Sequence, residues 1–221
     1  MNRIFYFFIT LAATFFIIAS CNSTYTSKKR GYFNIELPAH QYTLFERPGF
    51  PYSFEYPVYA SIIQDSTYFD STPENPYWIN VDFPKMQARI FLSYKIIGGK
   101  APYKIKMADG TYKDSLGVNE FDKMVNDAFN LTNKNEPLSS GIKDSLIHTT
   151  NGVSGIFFRV KGNAATAKQF FLSDTTRHFL RGALYFDAAP NADSLRPVQD
   201  FLQADIDHLI NTFKWKAASA N

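Results

Sequence analysis

Ala88-Arg89-Ile90-Phe91-Leu92-Ser93-Tyr94-Lys95-Ile96 reads as a strand. Ala88, Ile90, Leu92, Tyr94 and Ile96 fall on one side of an extended chain, and Arg89, Ser93 and Lys95 share the other with Phe91. Side chains alternate across a strand, so this period of two predicts one buried face and one more polar face. That is the habit of antiparallel sheet. Just upstream, Trp78–Phe83 alternates in the same way and stops at Pro84, which has no N–H to give a ladder. Tyr52–Tyr56 alternates aromatic with polar residues and stops at Pro57, and Tyr59–Ile63 follows as its expected partner. Tyr42–Phe45 is a shorter strand. Downstream, Val153–Lys161, Lys168–Ser173 and Phe179–Asp187 complete the set.

Two segments carry helical spacing instead. From Val118, apolar residues recur at Phe121, Met124, Val125, Ala128 and Phe129. From Asp193, they recur at Leu195, Val198, Phe201, Leu202, Ile206, Leu209, Ile210 and Phe213, a stripe of about five turns. Asp193 or Ser194 is expected to cap that helix, with Pro197 in its first turn, where no N–H partner is lost. Residues 99–117 and 132–144, rich in Gly, Lys, Asn and Ser, are expected to be loops. Gly98-Gly99 marks a turn and Asn151-Gly152 a hairpin. Strands, a helix, strands and a final long helix give an α+β domain, an antiparallel sheet flanked by helices.

The N-terminus has another purpose. Arg3 precedes an apolar run from Ile4 to Ile18, broken only by Thr10 and Thr14. A helix needs about 20 apolar residues to span a bilayer, and this run is shorter, as an export signal should be. Small Ala19 and Ser20 then precede Cys21, the only cysteine of 221 residues. This is the lipobox pattern of bacterial lipoproteins. Residues 1–20 are expected to be removed and the Cys21 thiol to carry diacylglycerol. A single acyl chain holds a protein only marginally, and a diacylglyceryl cysteine, usually with a further N-acyl chain, meets the need for two or more. No intramolecular disulfide can then form. Residues 21–30 make a polar tether. Its Lys28-Lys29-Arg30 run reads as solvated, with attraction to anionic headgroups as the sharper option. One globular domain is expected over 31–216 and a tail over 217–221.

Net charge is +3, with Phe at 22 and Tyr at 13. The aromatics favour a β-rich core, and no dense basic stripe points to nucleic acid. His40, His148, His178 and His208 are scattered, with no second ligand at a metal-binding spacing. Asp205, three residues before His208, reads as a surface ion-pair partner. Gly152-Val153-Ser154-Gly155 lacks the spacing of a nucleophile elbow, and no phosphate-binding glycine loop appears. Arg177, His178 and Arg181 lie near a strand start and are the candidate anion or partner contacts. No catalytic residue, metal site or cofactor is read from the sequence.

Four blocks carry a resemblance to a known family. They are Arg30–Pro38, Pro51–Pro57, Trp78–Pro84, and a stretch running from Phe170 through His178-Phe179-Leu180-Arg181-Gly182 and Pro190–Leu195 to Trp215. In order and over nearly the whole mature chain, they resemble GldD, a lipoprotein family of gliding motility in Bacteroidota. The resemblance implies a part in gliding and in the associated type IX protein secretion. It implies membrane attachment through lipid, other motility or secretion proteins as partners, and no catalytic residues. A weaker resemblance, to the Mog1/PsbP-like fold, concerns architecture alone. The expected location is the cell membrane or outer membrane, facing the periplasm. Two rival readings stay open, an envelope hydrolase and a small-ligand-binding lipoprotein serving a transporter. A deep pocket with perturbed carboxylates or an Arg–His pair would favour them. A shallow exposed apolar patch would favour partner contact.

Overall fold

The structure, a computed structural model, describes residues 36–64 and 73–216. The export signal, Cys21, the tether and the 217–221 tail lie outside them. The described residues all belong to one compact unit, Glu36–Asn221.

Its centre is a seven-stranded antiparallel sheet. In spatial order the strands are β3 (Ser61–Gln64), β4 (Ile79–Phe83), β5 (Ala88–Ile96), β11 (His178–Phe186), β10 (Lys168–Ser173), β9 (Ser154–Gly162) and β8 (Ser139–His148). β5 is an interior strand beside the middle strand β11, and it forms as its alternation requires. Ala88, Ile90, Leu92 and Tyr94 are buried, and the residues between them are half-buried. Ile96, the last of the apolar set, is 41% exposed where the strand leaves the core.

A second layer covers this apolar face. It consists of the C-terminal helix α2 (Ala192–Thr212) and a small sheet of β1 (Tyr42–Phe45), β2 (Tyr52–Pro57) and β12 (Lys214–Trp215). Val198, Leu202, Ile206, Leu209 and Ile210 of α2 enter one core with Phe54 and Phe213 and with the inward residues of β4, β5, β10 and β11. The shorter helix α1 (Phe121–Asn133) packs on the opposite face. Its Met124 and Ala128 bury against Phe158, Phe171 and Phe179, each one position along its strand from Phe157, Phe170 or Leu180, which face the main core.

Several expectations are corrected. Tyr59–Ile63 does not pair with Tyr52–Tyr56. β3 pairs with β4, and β2 pairs with β1 and β12, because the chain crosses from the small sheet to the large one at Pro57–Ala60. Residues 100–106 and 112–118 are not loop but the antiparallel strands β6 (Lys100–Lys106) and β7 (Tyr112–Val118). Residue 139 begins the ten-residue edge strand β8. The cap of α2 is Asn191, whose side chain accepts the Ser194 N–H, and the helix starts at Ala192. Pro197 is therefore past the first turn. It leaves the Asp193 carbonyl without its helical donor at an end where Asp193 is solvent-exposed. The far end of α2 is closed by Asn151, which donates to the carbonyls of Asn211 (3.2 Å) and Phe213 (3.1 Å) from the β8–β9 turn. That turn forms where Asn151-Gly152 predicts it, with Gly152 at φ +73°.

Candidate partner-binding surface

β6 and β7 form a two-stranded ribbon with no third strand among the described residues. The ribbon is closed by a tight turn. Gly110, at φ +84°, donates to the Met107 carbonyl (3.0 Å), and the Asp109 carboxylate accepts both the backbone N–H and the hydroxyl of Thr111. The Thr111 hydroxyl, ahead of its N–H, holds Asp109 below the usual carboxylate range. Opposed residues share a face, so Val118, Leu116 and Tyr112 line one side with Pro102, while Tyr103 and Ile105 line the other. All are exposed, Leu116 at 68% and Tyr112 at 64%. Four lysines (100, 104, 106 and 113) stand against Asp109 and Asp114. A free two-stranded ribbon is marginal in water, and grouped exposed apolar side chains mark contact surfaces.

Arg177, His178 and Arg181 are not brought together. His178 is 6% exposed and points into the main core. Its Nδ1 lies 2.6 Å from the Tyr94 hydroxyl, and its ring stacks on Trp215 at 5.0 Å. Burial lowers its pKa, partly offset by Asp174. Burial likewise pushes the Tyr94 phenol up to about 12. Arg177 sits in an exposed turn organised by Asp174, whose Oδ1 accepts the N–H groups of Thr176, Arg177 and His178. Burial works against ionisation of Asp174, but those three donors outweigh it and its pKa is lowered. Arg181, three positions beyond His178 on the same strand, points to the other face and donates to Gln169 Oε1. An Arg–His anion site is therefore not formed, since odd and even residues of a strand cannot share a face.

Asp205 is also not where its sequence neighbours suggest. It is 1% exposed, and its oxygens hold His40 Nδ1 (2.8 Å), the Tyr42 hydroxyl (3.1 Å) and the Tyr59 hydroxyl (2.6 Å). His208 pairs instead with Glu55 (2.6 Å) and stacks on Tyr42 at 3.5 Å. Burial first, then the Asp205 charge and hydrogen bond, pushes Tyr42 up to about 12. Tyr59 is raised by burial and by its bond to Asp205. A buried carboxylate with its lone pairs filled by three donors is a structural clasp. It ties the entry of the domain at His40 to the C-terminal helix. Only the Asp205 spacing within the apolar stripe of α2, at a position between Leu202 and Leu209, could have announced its burial.

Among the described residues no three His, Cys, Asp or Glu side chains are placed to hold a metal ion. Among them also, no helix is long and apolar enough to cross a membrane. A search of curated proteins finds no match. Among solved structures, the chain is similar to the solution structure of cyanobacterial PsbP (CyanoP) from Synechocystis sp. PCC 6803. The identity is 10% and the TM-score 0.41, over 81% of this chain and 95% of that one. The profile of the gliding motility lipoprotein GldD matches residues 22–215, which places its start directly after Cys21 and its end at Trp215 of β12. The chain belongs to the GldD family of gliding motility lipoproteins.

Proposed function

We propose that this lipoprotein is a non-enzymatic accessory part of the gliding machinery and of the associated type IX secretion system. It is held to the membrane by lipid on Cys21, faces the periplasm, and works by contact with another envelope protein. The observation that carries the reading is the ribbon β6–β7. It projects Tyr103, Ile105, Tyr112, Leu116 and Val118 into solvent, and no third strand among the described residues covers them. Aromatic and aliphatic anchors at the centre of a basic patch suit a partner with an apolar pocket and an acidic rim.

Deletion of the gene should stop surface spreading and impair secretion while growth in liquid continues. Complementation with Tyr112→Ser and Leu116→Ser together should fail to restore spreading although the protein is present at normal level with a normal melting temperature. Full restoration by that double variant would remove the ribbon from the mechanism. A gene deletion that leaves both spreading and secretion intact would remove the function itself.

A further inference from the structure

We propose that the cleft between α1 and the second face of the large sheet binds a single-chain acyl carboxylate. The inference is independent of the ribbon. The cleft encloses about 510 Å³, within the range of about 300–1,000 Å³ typical of small-molecule sites. Trp78 and Phe179 form its wall on the sheet, and Met124, Ala128 and Leu131 form the wall on α1. The one polar atom of the indole is already used, since Trp78 Nε1 donates to the Tyr94 carbonyl at 2.7 Å. The ring therefore offers the cleft only its apolar surface. Met124 adds an adaptable surface that fits chains of varied shape.

The same cleft carries three cations, Lys95, Lys134 and Arg181, and one acid, Asp127. Lys95 is already matched by Glu74. Among the described residues neither Lys134 nor Arg181 has a carboxylate within ion-pair distance. Arg181 is nevertheless held in place. One of its five N–H donors goes to Gln169 Oε1, and Gln169 is 1% exposed. A buried neutral amide thus aims the guanidinium without cancelling its charge. Gln169 Nε2 is itself buried without a partner. The arrangement leaves Arg181 with donors to spare beside an apolar channel, the layout that suits a carboxylate head on a hydrocarbon body. Asp127 on the same cleft repels a second negative charge, which favours a monoanion over a doubly charged phosphate.

The test uses the full lipidated protein in nanodiscs of zwitterionic lipid and a palmitic acid analogue bearing a photoreactive diazirine, with labelled peptides mapped by mass spectrometry. Label should saturate on the peptides holding Trp78 and residues 124–131. Unlabelled palmitate should displace it, and hexadecanol, which lacks the charge, should not. Arg181→Gln with Lys134→Gln should weaken saturation by about tenfold or more, the loss expected when a charge-assisted pair is removed. Leu131→Trp, a change at a 39% exposed rim position, should block labelling with the melting temperature unchanged, so the proposal stays testable if the charge variant folds poorly. Unsaturable label spread over the surface, or equal labelling of the folded charge variant or of Leu131→Trp, would overturn the site. Displacement by hexadecanol as effective as by palmitate would overturn the carboxylate. Displacement by nanodiscs containing phosphatidylglycerol, with no effect of free palmitate, would assign the cleft to a membrane headgroup and overturn the free acid.

Discussion

The ring of Phe170 occupies the space that a side chain on Gly182 would need. The two residues are directly opposed across β10 and β11, and a Cβ at 182 would stand 2.2 Å from the Phe170 ring. Phe170 is itself buried, so the ring has nowhere open to go. Gly182→Ala should therefore destabilise the domain by about 1–3 kcal/mol, the usual cost of overpacking. Phe170→Leu added to Gly182→Ala should recover part of the loss. An unchanged melting temperature for the single variant would show that the ring repacks freely.

Asp205 and Leu209 sit one turn apart on α2 and bury different chemistry. Leu209→Ala should cost about 2–5 kcal/mol in denaturant unfolding, as for other buried leucines. Asp205→Ala strips the acceptor from Tyr42 and Tyr59 and should cost about 1–3 kcal/mol. The two should also differ in where they act. Asp205→Ala should speed amide hydrogen exchange around Tyr42 more than in the interior strand β5, whereas Leu209→Ala should loosen both. Equal exchange around Tyr42 in the wild type and Asp205→Ala would count against the clasp.

His178 gives the domain a pH dependence of defined sign. Its folded pKa lies below the free value of 6.5, because burial beside Tyr94 and Trp215 disfavours the imidazolium. Below about pH 6.5 the unfolded chain takes up a proton that the folded chain resists, so stability falls as pH drops from 6.5 toward the lowered folded value. Above 6.5 this contribution is constant. Melting temperature should decline between pH 7 and 5, and His178→Gln should flatten that decline relative to its own value at pH 7. An unaltered slope in His178→Gln would assign the dependence to other groups.

Cys21→Ala should abolish incorporation of a fatty-acid probe and leave an uncleaved precursor. On the proposed attachment, the thiol is the acyl acceptor and the signal peptidase acts on the modified residue. Equal labelling of wild type and variant would refute Cys21 as the attachment site.

Strands with one buried face were legible in the sequence, since the period of two is imposed by burial. Ala88–Ile96 has the bounds that its pattern predicts; so do Tyr42–Phe45 and Lys168–Ser173, although the first is mostly exposed and the second is buried on both faces. β6 and β7 escape the pattern for the same reason. With both faces in solvent, Tyr103, Ile105 and Leu116 need not alternate with anything, and Pro102 and Gly117 argue against a strand. β8 leaves no alternating pattern because it is an edge strand in which Ile147 is the one buried residue. The partner of β2 was illegible because pairing with Lys214 and Trp215 leaves no local trace. Proximity in sequence groups His178 with Arg181, but the strand separates them to opposite faces. The buried role of His178 also makes its removal a stability variant rather than a clean probe of chemistry.

Lys214 pairs with Ser53, 161 positions earlier in the chain. A strand that must wait for a partner so distant cannot close early, since long-range pairing carries the loop-closure cost before any contact repays it. The N-terminal hairpin of β1 and β2 thus remains unlocked while the rest of the polypeptide is being made. For a lipoprotein exported as an unfolded chain, that delay would be useful. With β12 at Lys214–Trp215, near the end of the chain, such a domain would close only after nearly all of it had been translocated.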